Sequence, residues 1–137
     1  MNTVSSESIA RATALLNVEP APAFGQGSLS VSDEKLFVVL AHLFPLIVWP
    51  WKRKASPVID AHGKEALNFA ITLFAAFFAI GFAGGLLSML LGNWVAMLVS
   101  GLTALGTLGA LALVIVAILK GREGKLLRYP FSVRLIK

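Results

Sequence analysis

The pattern of polar positions along the chain is dominated by one long stretch without charge. Residues 66–119, 54 in all, contain no Asp, Glu, Lys, Arg or His. As a single helix this stretch would measure about 81 Å, whereas the hydrocarbon core of a bilayer is about 30 Å thick. The turn dipeptide Gly92-Asn93 divides the stretch into two equal segments. We therefore predict two hydrophobic helices, about 57–91 and 94–120, that form an antiparallel hairpin across a membrane.

A shorter apolar segment precedes this hairpin. It runs from Leu36 to Trp51 between two lysines, and its 16 residues would cover about 24 Å as a helix, which is short for a span. Pro45 lies inside it and should kink the helix. We predict a hydrophobic helix over residues 33–51 that crosses the membrane. A re-entrant or interfacial helix is the alternative.

The remaining segments predict the boundaries of the domain. Residues 1–32 lack the apolar core of a signal peptide, and residues 20–28 are rich in Pro, Gly and Ser, so we predict a disordered N-terminal tail. Ser56-Pro57 has the N-cap and first-turn residues of a helix. The predicted fold class is an all-α integral membrane protein with three hydrophobic helices in one membrane domain, residues 33–137.

Composition adds exclusions to this picture. The chain is 57% hydrophobic and 14% charged, and it contains no cysteine, whereas soluble domains carry about 25% charged residues. These values exclude a soluble enzyme, a secreted disulfide scaffold, a coiled coil and a disordered chain. The absence of cysteine also excludes thiolate metal sites and cysteine nucleophiles.

The basic residues indicate how the chain is oriented. Of the 12 Lys and Arg residues, six lie in residues 120–137 and four between Lys52 and Lys64. The positive-inside rule then predicts a cytoplasmic C-terminal tail, 120–137, in a bacterial inner membrane. With a re-entrant first segment, all 12 basic residues and the N-terminus would be cytoplasmic. Basic clusters beside apolar segments predict contact with anionic lipid headgroups and not with nucleic acid.

Few ionisable groups lie near the apolar segments. His42 lies inside the first one, where it could form a proton or metal site. We expect a neutral imidazole bonded to a neighbouring helix, because no second ionisable group lies at that depth. Asp60, His62 and Glu65 are a poor set of metal ligands, since only two of them share a helix face, and they lack a nucleophile with an adjacent base. The sequence therefore predicts neither an enzyme nor a bound metal or cofactor.

Small residues recur at four-residue steps in the two long segments. Such spacing allows helix backbones to approach closely. The predicted contact lies within the hairpin, and the alternative is a homo-oligomer. The candidate packing residues are Gly81, Gly85, Ser88, Ser100 and Gly106.

Two sequence blocks are similar to a known family pattern. They are AHLFPLIVWPWKRKASPVIDAHGKEALNFAIT, residues 41–72, and RYPFSVRLIK, residues 128–137. Together they resemble a family of small bacterial multi-pass membrane proteins with a domain of unknown function, grouped with the chloroplast import component Tic-twenty. Gly63 stands where that pattern usually has alanine. The resemblance implies no established activity or cofactor, and it implies a candidate cytoplasmic face formed by His62, Lys64, Glu65, Asn68, Arg128, Tyr129, Pro130 and Arg134.

The expected function follows from these patterns. We expect a non-enzymatic membrane protein that acts through contacts with lipid, with other membrane proteins or with further copies of itself. The alternative is an oligomeric channel or transporter subunit with a polar lining of His42, Asn68 and Thr72, since a pore needs a polar path. For the basic tail, the expectation is binding to the membrane surface. The alternative is docking on the connector, with an arginine paired to Glu65 or Asp60.

Overall fold

The computed structural model describes residues 7, 8, 11 and 14–137. In residues 16–137 there are four helices and one sheet of two antiparallel strands, in which Val18 lies opposite Leu127. In chain order, the elements are β1 (Val18–Pro20), α1 (Val31–Leu43), α2 (Pro45–Lys52), α3 (Pro57–Leu91), α4 (Asn93–Arg122) and β2 (Lys125–Leu127).

The two long helices are those that the charge-free stretch predicts. Helix α3 begins at Pro57, directly after Ser56 in extended conformation, and ends at Leu91. Gly92 joins it to α4 with a φ of +101°, a backbone conformation that glycine adopts without steric cost. Both helices are long and apolar enough to cross a membrane, which supports the predicted membrane protein.

The two long helices contact each other through small residues. A Cβ atom on Gly84 would lie 2.6 Å from Cγ2 of Val99, and one on Gly106 would lie 3.2 Å from Cε1 of Phe77. Each contact joins residues at nearly equal distances from Gly92. The two helices therefore lie side by side and run in opposite directions from that turn.

The predicted packing residues contribute less to this contact than their spacing suggests. Among the described residues, nothing lies within 4 Å of a Cβ built on Gly81 or Gly85, and Ser100 is exposed. Ser88 donates a hydrogen bond of 2.8 Å to the carbonyl of Gly85 in its own helix. The helix face that meets α4 contains Gly84, which is turned about 100° from Gly85. Of the five predicted residues, Gly106 makes the expected close contact between helices.

The predicted single helix over residues 33–51 is wrong, because the chain forms two short helices there. Helix α1 ends at Leu43, and Phe44 has φ −131° and ψ 60° before α2 begins at Pro45. Proline disfavours the helical conformation of the residue before it and cannot donate to the preceding turn. With 13 and 8 residues, the two helices measure about 20 and 12 Å, so neither could span a bilayer alone.

Both short helices pack against the ends of the long ones. Val38 of α1 forms a buried cluster with Val58 and Ile59 of α3, and Gly121 of α4 lies against Val38. Trp49 of α2 covers Gly63, where an added Cβ would lie 2.5 Å from its Cδ1. This close approach explains the glycine at that position.

These contacts divide the molecule into two parts. We call residues 14–69 and 117–129 the head, and residues 70–116 the stem. In the described chain nearly all buried residues lie in the head, whereas the stem buries only Gly84 and Val95. The apolar side chains of the stem are exposed on most of its surface.

The prediction of a disordered tail over residues 1–32 fails for residues 18–30. Strand β1 pairs with β2, and Ala21, Phe24 and Leu29 pack against the cluster of Val38. Gly27 lies so close to the carbonyl of Ala55 that an added Cβ would clash with it. The rest of the predicted tail falls largely on residues 1–6, 9, 10, 12 and 13, which lie outside the described residues.

Candidate functional site

A chain of hydrogen bonds between buried aromatic side chains joins three segments of the head. Nε2 of His42 in α1 lies 3.1 Å from Nδ1 of His62 in α3. The hydroxyl of Tyr129, which follows β2, lies 2.9 Å from Nδ1 of His42. The ring of Tyr129 also stacks on Phe69 with 4.0 Å between centroids. His42 is therefore bonded to a neighbouring helix, as the sequence led us to expect.

Burial keeps these hydrogen-bonded side chains neutral near pH 7. It lowers the pKa of His42 from 6.5 to about 3, with a smaller contribution from the neighbouring His62. Burial, followed by the negative charge of Glu65, raises the pKa of Tyr129 above its usual value. Within the described residues, Nε2 of His62 has no hydrogen-bond partner. The three hydrogen-bonded rings are therefore uncharged, and they join α1, α3 and the tail.

The basic tail docks on α3 through Glu65. Nη1 of Arg128 and Nε of Arg134 each lie 3.5 Å from Oε1 of Glu65, and Arg128 also pairs with Glu19. Docking on the connector was the alternative to a tail bound at the membrane surface. In the structure the tail is docked on the connector, and the arginines pair with Glu65.

Asp60 has different partners. Its carboxylate pairs with Lys64 one helical turn later at 2.7 Å, and it accepts a hydrogen bond of 2.9 Å from Nε1 of Trp49. Asp60 therefore joins α2 to α3 and does not receive an arginine of the tail.

Asn68 and Thr72 bind the backbone of the tail. Nδ2 of Asn68 donates to the carbonyl of Ile136 at 2.9 Å, and its Oδ1 accepts from the N–H groups of Leu135 and Ile136. Oγ1 of Thr72 accepts from the N–H of Val133 at 3.0 Å and donates to the carbonyl of Asn68. These side chains, like His42, thus use their polar atoms inside the molecule, which weakens the interpretation that they line a pore.

A buried carboxylate that the sequence did not indicate joins α1 to two loops of the head. Glu34 is fully buried and accepts hydrogen bonds of 2.6 Å from the N–H of Gly25 and 2.7 Å from the hydroxyl of Ser56. The sequence signal at Glu34 was only that of an acid in the first turn of a helix. Its partners lie on two separate loops, which periodicity cannot identify.

Seven of the eight residues of the resemblance lie around one interface between α3 and the tail. Glu65 and Asn68 face it from α3, and Arg128, Tyr129 and Arg134 face it from the tail. His62 contacts His42 of α1 and is linked to Tyr129 only through that ring. Lys64 and Pro130 lie at its edges, in two separate clefts. In the part of the chain that the structure describes, no three His, Asp or Glu side chains are grouped as metal ligands.

The comparisons with known proteins place this architecture in a family. The family model MamF/MmsF, the magnetosome magnetite crystal formation protein family, matches residues 33–136. No curated protein and no solved structure matches the chain. The matched region extends from the start of α1 to the docked tail and contains every residue of the hydrogen-bond chain. The chain therefore belongs to the magnetosome magnetite crystal formation protein family.

Proposed function

We propose that this protein is a helical-hairpin protein of the magnetosome membrane that contributes to magnetite crystal formation through contacts with lipid and membrane proteins. The single observation that carries this proposal is the contrast between the exposed apolar stem and the closed, hydrogen-bonded head. An apolar surface of this extent is stable in lipid and not in water. The family match supplies the process in which the protein takes part.

The membrane arrangement that we propose has two crossings. Helices α3 and α4 cross as an antiparallel hairpin, and α1 and α2 stay on the side of the head, because both are short and pack on its core. All 12 basic residues then lie on that side, which the positive-inside rule assigns to the cytoplasm. Three crossings would separate α1 from Val58 and His62, with which it packs.

The turn of the hairpin is not where we place the action of the protein on the crystal. The turn around Gly92, which would face away from the cytoplasm, carries no charged residue from Leu91 to Val95. Magnetite is an iron oxide, and iron at its surface would be bound by carboxylates, which are hard oxygen ligands. We therefore propose that the chain influences the crystal from within the membrane and from the head.

Catalysis and conduction are less well supported. Most buried polar side chains of the head have internal partners, although Nε2 of His62 has none within the described residues, and in the described stem the polar side chains are those of Ser, Thr and Asn. We propose a non-enzymatic role for this reason. We also propose that this family is grouped with the chloroplast import component Tic-twenty. That grouping would imply a shared membrane fold and no shared activity.

Gene replacement in a magnetosome-forming bacterium tests this function. Deletion should change the size distribution of the magnetite crystals seen by electron microscopy, and the wild-type chain should restore it. A chain with Trp49→Ala, which uncovers Gly63 and loosens the head, should restore it less well than one with Lys54→Ala, an exposed position. Normal crystals after deletion would contradict the proposal.

A further inference from the structure

The final ten residues form a loop that descends along the stem and returns. We call residues 128–137 the C-terminal loop. It leaves the head at Tyr129, beside Phe69, and reaches its tip at Phe131, which shares a groove with Ala76 and Gly106. It then returns past Thr72 and Asn68 to Ile136.

The tip of this loop lies at the depth of the charge-free helices. Ala76 is ten residues beyond Ala66, where the charge-free stretch begins, which is about 15 Å along the helix. Phe131 has a φ of +62° and is 96% exposed, a costly arrangement for an aromatic side chain in water. In a bilayer the same side chain would lie among acyl chains.

Backbone polar groups at that depth require hydrogen-bond partners. Asn68 and Thr72 supply them to the returning arm of the C-terminal loop, at Val133, Leu135 and Ile136. The side chains of Val133 and Leu135 are exposed like that of Phe131. The loop thus presents apolar side chains outward and has part of its backbone satisfied by α3, which suits the edge of the hydrocarbon.

A basic cleft lies at the other end of the loop. It has a volume of about 540 Å³, and its lining includes the cations of Lys64, Arg128, Arg134 and Lys137 and the carboxylates of Asp60 and Glu65. Arg128 and Arg134 share a single oxygen of Glu65, each at 3.5 Å. The side chain of Arg134 is half exposed, so most of its five N–H donors remain for a ligand.

We propose that this cleft binds the phosphate of an anionic phospholipid whose acyl chains pack beside Phe131. The inference rests on the membrane hairpin of the proposed function and adds a ligand to it. From Phe131 to Arg134 an extended chain spans about 10 Å, and the polar layer on each side of the hydrocarbon is about 5–8 Å thick. With the tip among acyl chains, the guanidinium of Arg134 therefore reaches the phosphates, and guanidinium binds phosphate through paired hydrogen bonds.

Binding of lipid by matched variants tests this site. The protein is placed in nanodiscs of phosphatidylcholine with increasing phosphatidylglycerol, and bound anionic lipid is measured by native mass spectrometry. Arg134→Gln should weaken the preference for phosphatidylglycerol about tenfold, and Lys64→Gln about fivefold. Lys54→Gln removes the same charge from an exposed head position outside the cleft and should change it less than about twofold.

Two further experiments test whether the bound phosphate belongs to a lipid and whether the tip of the loop lies in the bilayer. Inorganic phosphate added to the mixed discs should not displace phosphatidylglycerol, and displacement would overturn the assignment to lipid. Because the chain has no cysteine, Phe131→Cys can carry a single fluorophore, which should be quenched by lipids brominated in their acyl chains. Absence of that quenching would overturn the insertion of the tip.

Different outcomes would overturn the lipid site and the proposed function. Equal lipid preference in Arg134→Gln and Lys54→Gln would overturn the lipid site while leaving the hairpin intact. Extraction of the wild-type chain from membranes by alkaline carbonate would instead overturn the proposed function. An unchanged melting temperature of each variant in phosphatidylcholine discs shows that the head is folded, so a lost preference then reports on the cleft.

Discussion

At the scale of single residues, the hydrogen-bond chain through Tyr129, His42 and His62 makes the head sensitive to protons. Its members come from positions 20 and 87 residues apart, so no local pattern could pair them. The sequence does predict that His42 bonds to a neighbouring helix, because an isolated imidazole in an apolar segment needs a partner. It cannot identify that partner, which depends on how α1 folds back onto α3.

Acid should destabilise the head. Burial lowers the pKa of His42 from 6.5 to about 3, so between these values the unfolded chain binds a proton at this position that the folded chain does not. The contribution of His42 to the free energy of unfolding should therefore be largest above pH 6.5 and should fall by about 2 kcal/mol between pH 7 and pH 5. Thermal unfolding of the detergent-solubilised protein, followed by tryptophan fluorescence, measures this difference.

The matched control for acid is the variant without the titrating ring. His42→Gln should be less stable than the wild type at pH 7, because it breaks the bonds to His62 and Tyr129. Its stability should then change less between pH 7 and pH 5. An equal loss in both proteins would show that another group is responsible.

At the scale of elements, the sequence predicts the long helices well and the short ones poorly. The bounds of α3 and α4 follow from local signals, namely Ser56-Pro57, the charge-free stretch and Gly92. Pro45 is equally visible, but whether it kinks or divides a helix depends on what packs on either side of it. Strand β1 was missed because its partner β2 lies more than 100 residues away.

Gly63 provides a test of the contact between α2 and α3. Alanine normally stabilises a helix interior by about 1 kcal/mol over glycine, but here its Cβ would lie 2.5 Å from Trp49. We expect Gly63→Ala to lower the melting temperature and to shift the tryptophan emission. Gly81→Ala, at a position open on the stem, should leave both unchanged or raise the melting temperature. A more stable Gly63→Ala protein would contradict the packing of α2.

Two adjacent glycines test the contact between α3 and α4. Gly84→Leu should force these helices apart, because Val99 already lies within 2.6 Å of a Cβ at this position, and overpacking of this kind costs about 1–3 kcal/mol. Gly85→Leu adds the same side chain on a face that is open within the chain. The measurement is thermal unfolding in detergent. Equal destabilisation by both substitutions would indicate that Gly85 also lies in an interface, such as that between two copies.

At the scale of the whole molecule, the charge-free stretch and the basic clusters predict a membrane protein and its orientation. They could not predict that the first apolar segment belongs to the head, because its length and composition suit a short span as well as a packed pair of helices. The docked tail was one of two alternatives, and Glu65 was named in it. The remaining contacts of the tail, at Asn68 and Thr72, depend on the return of the C-terminal loop along α3.

The central claim is that the stem crosses the membrane twice and that the whole head lies on one side. Single cysteines in this cysteine-free chain, treated in intact isolated magnetosomes with a thiol reagent that cannot cross their membrane, test it directly. Gln26→Cys and Lys137→Cys should react, whereas Asn93→Cys should react only after the membrane is permeabilised. Reaction of Lys137→Cys together with protection of Gln26→Cys in intact magnetosomes would place the two ends of the chain on opposite sides and contradict the claim.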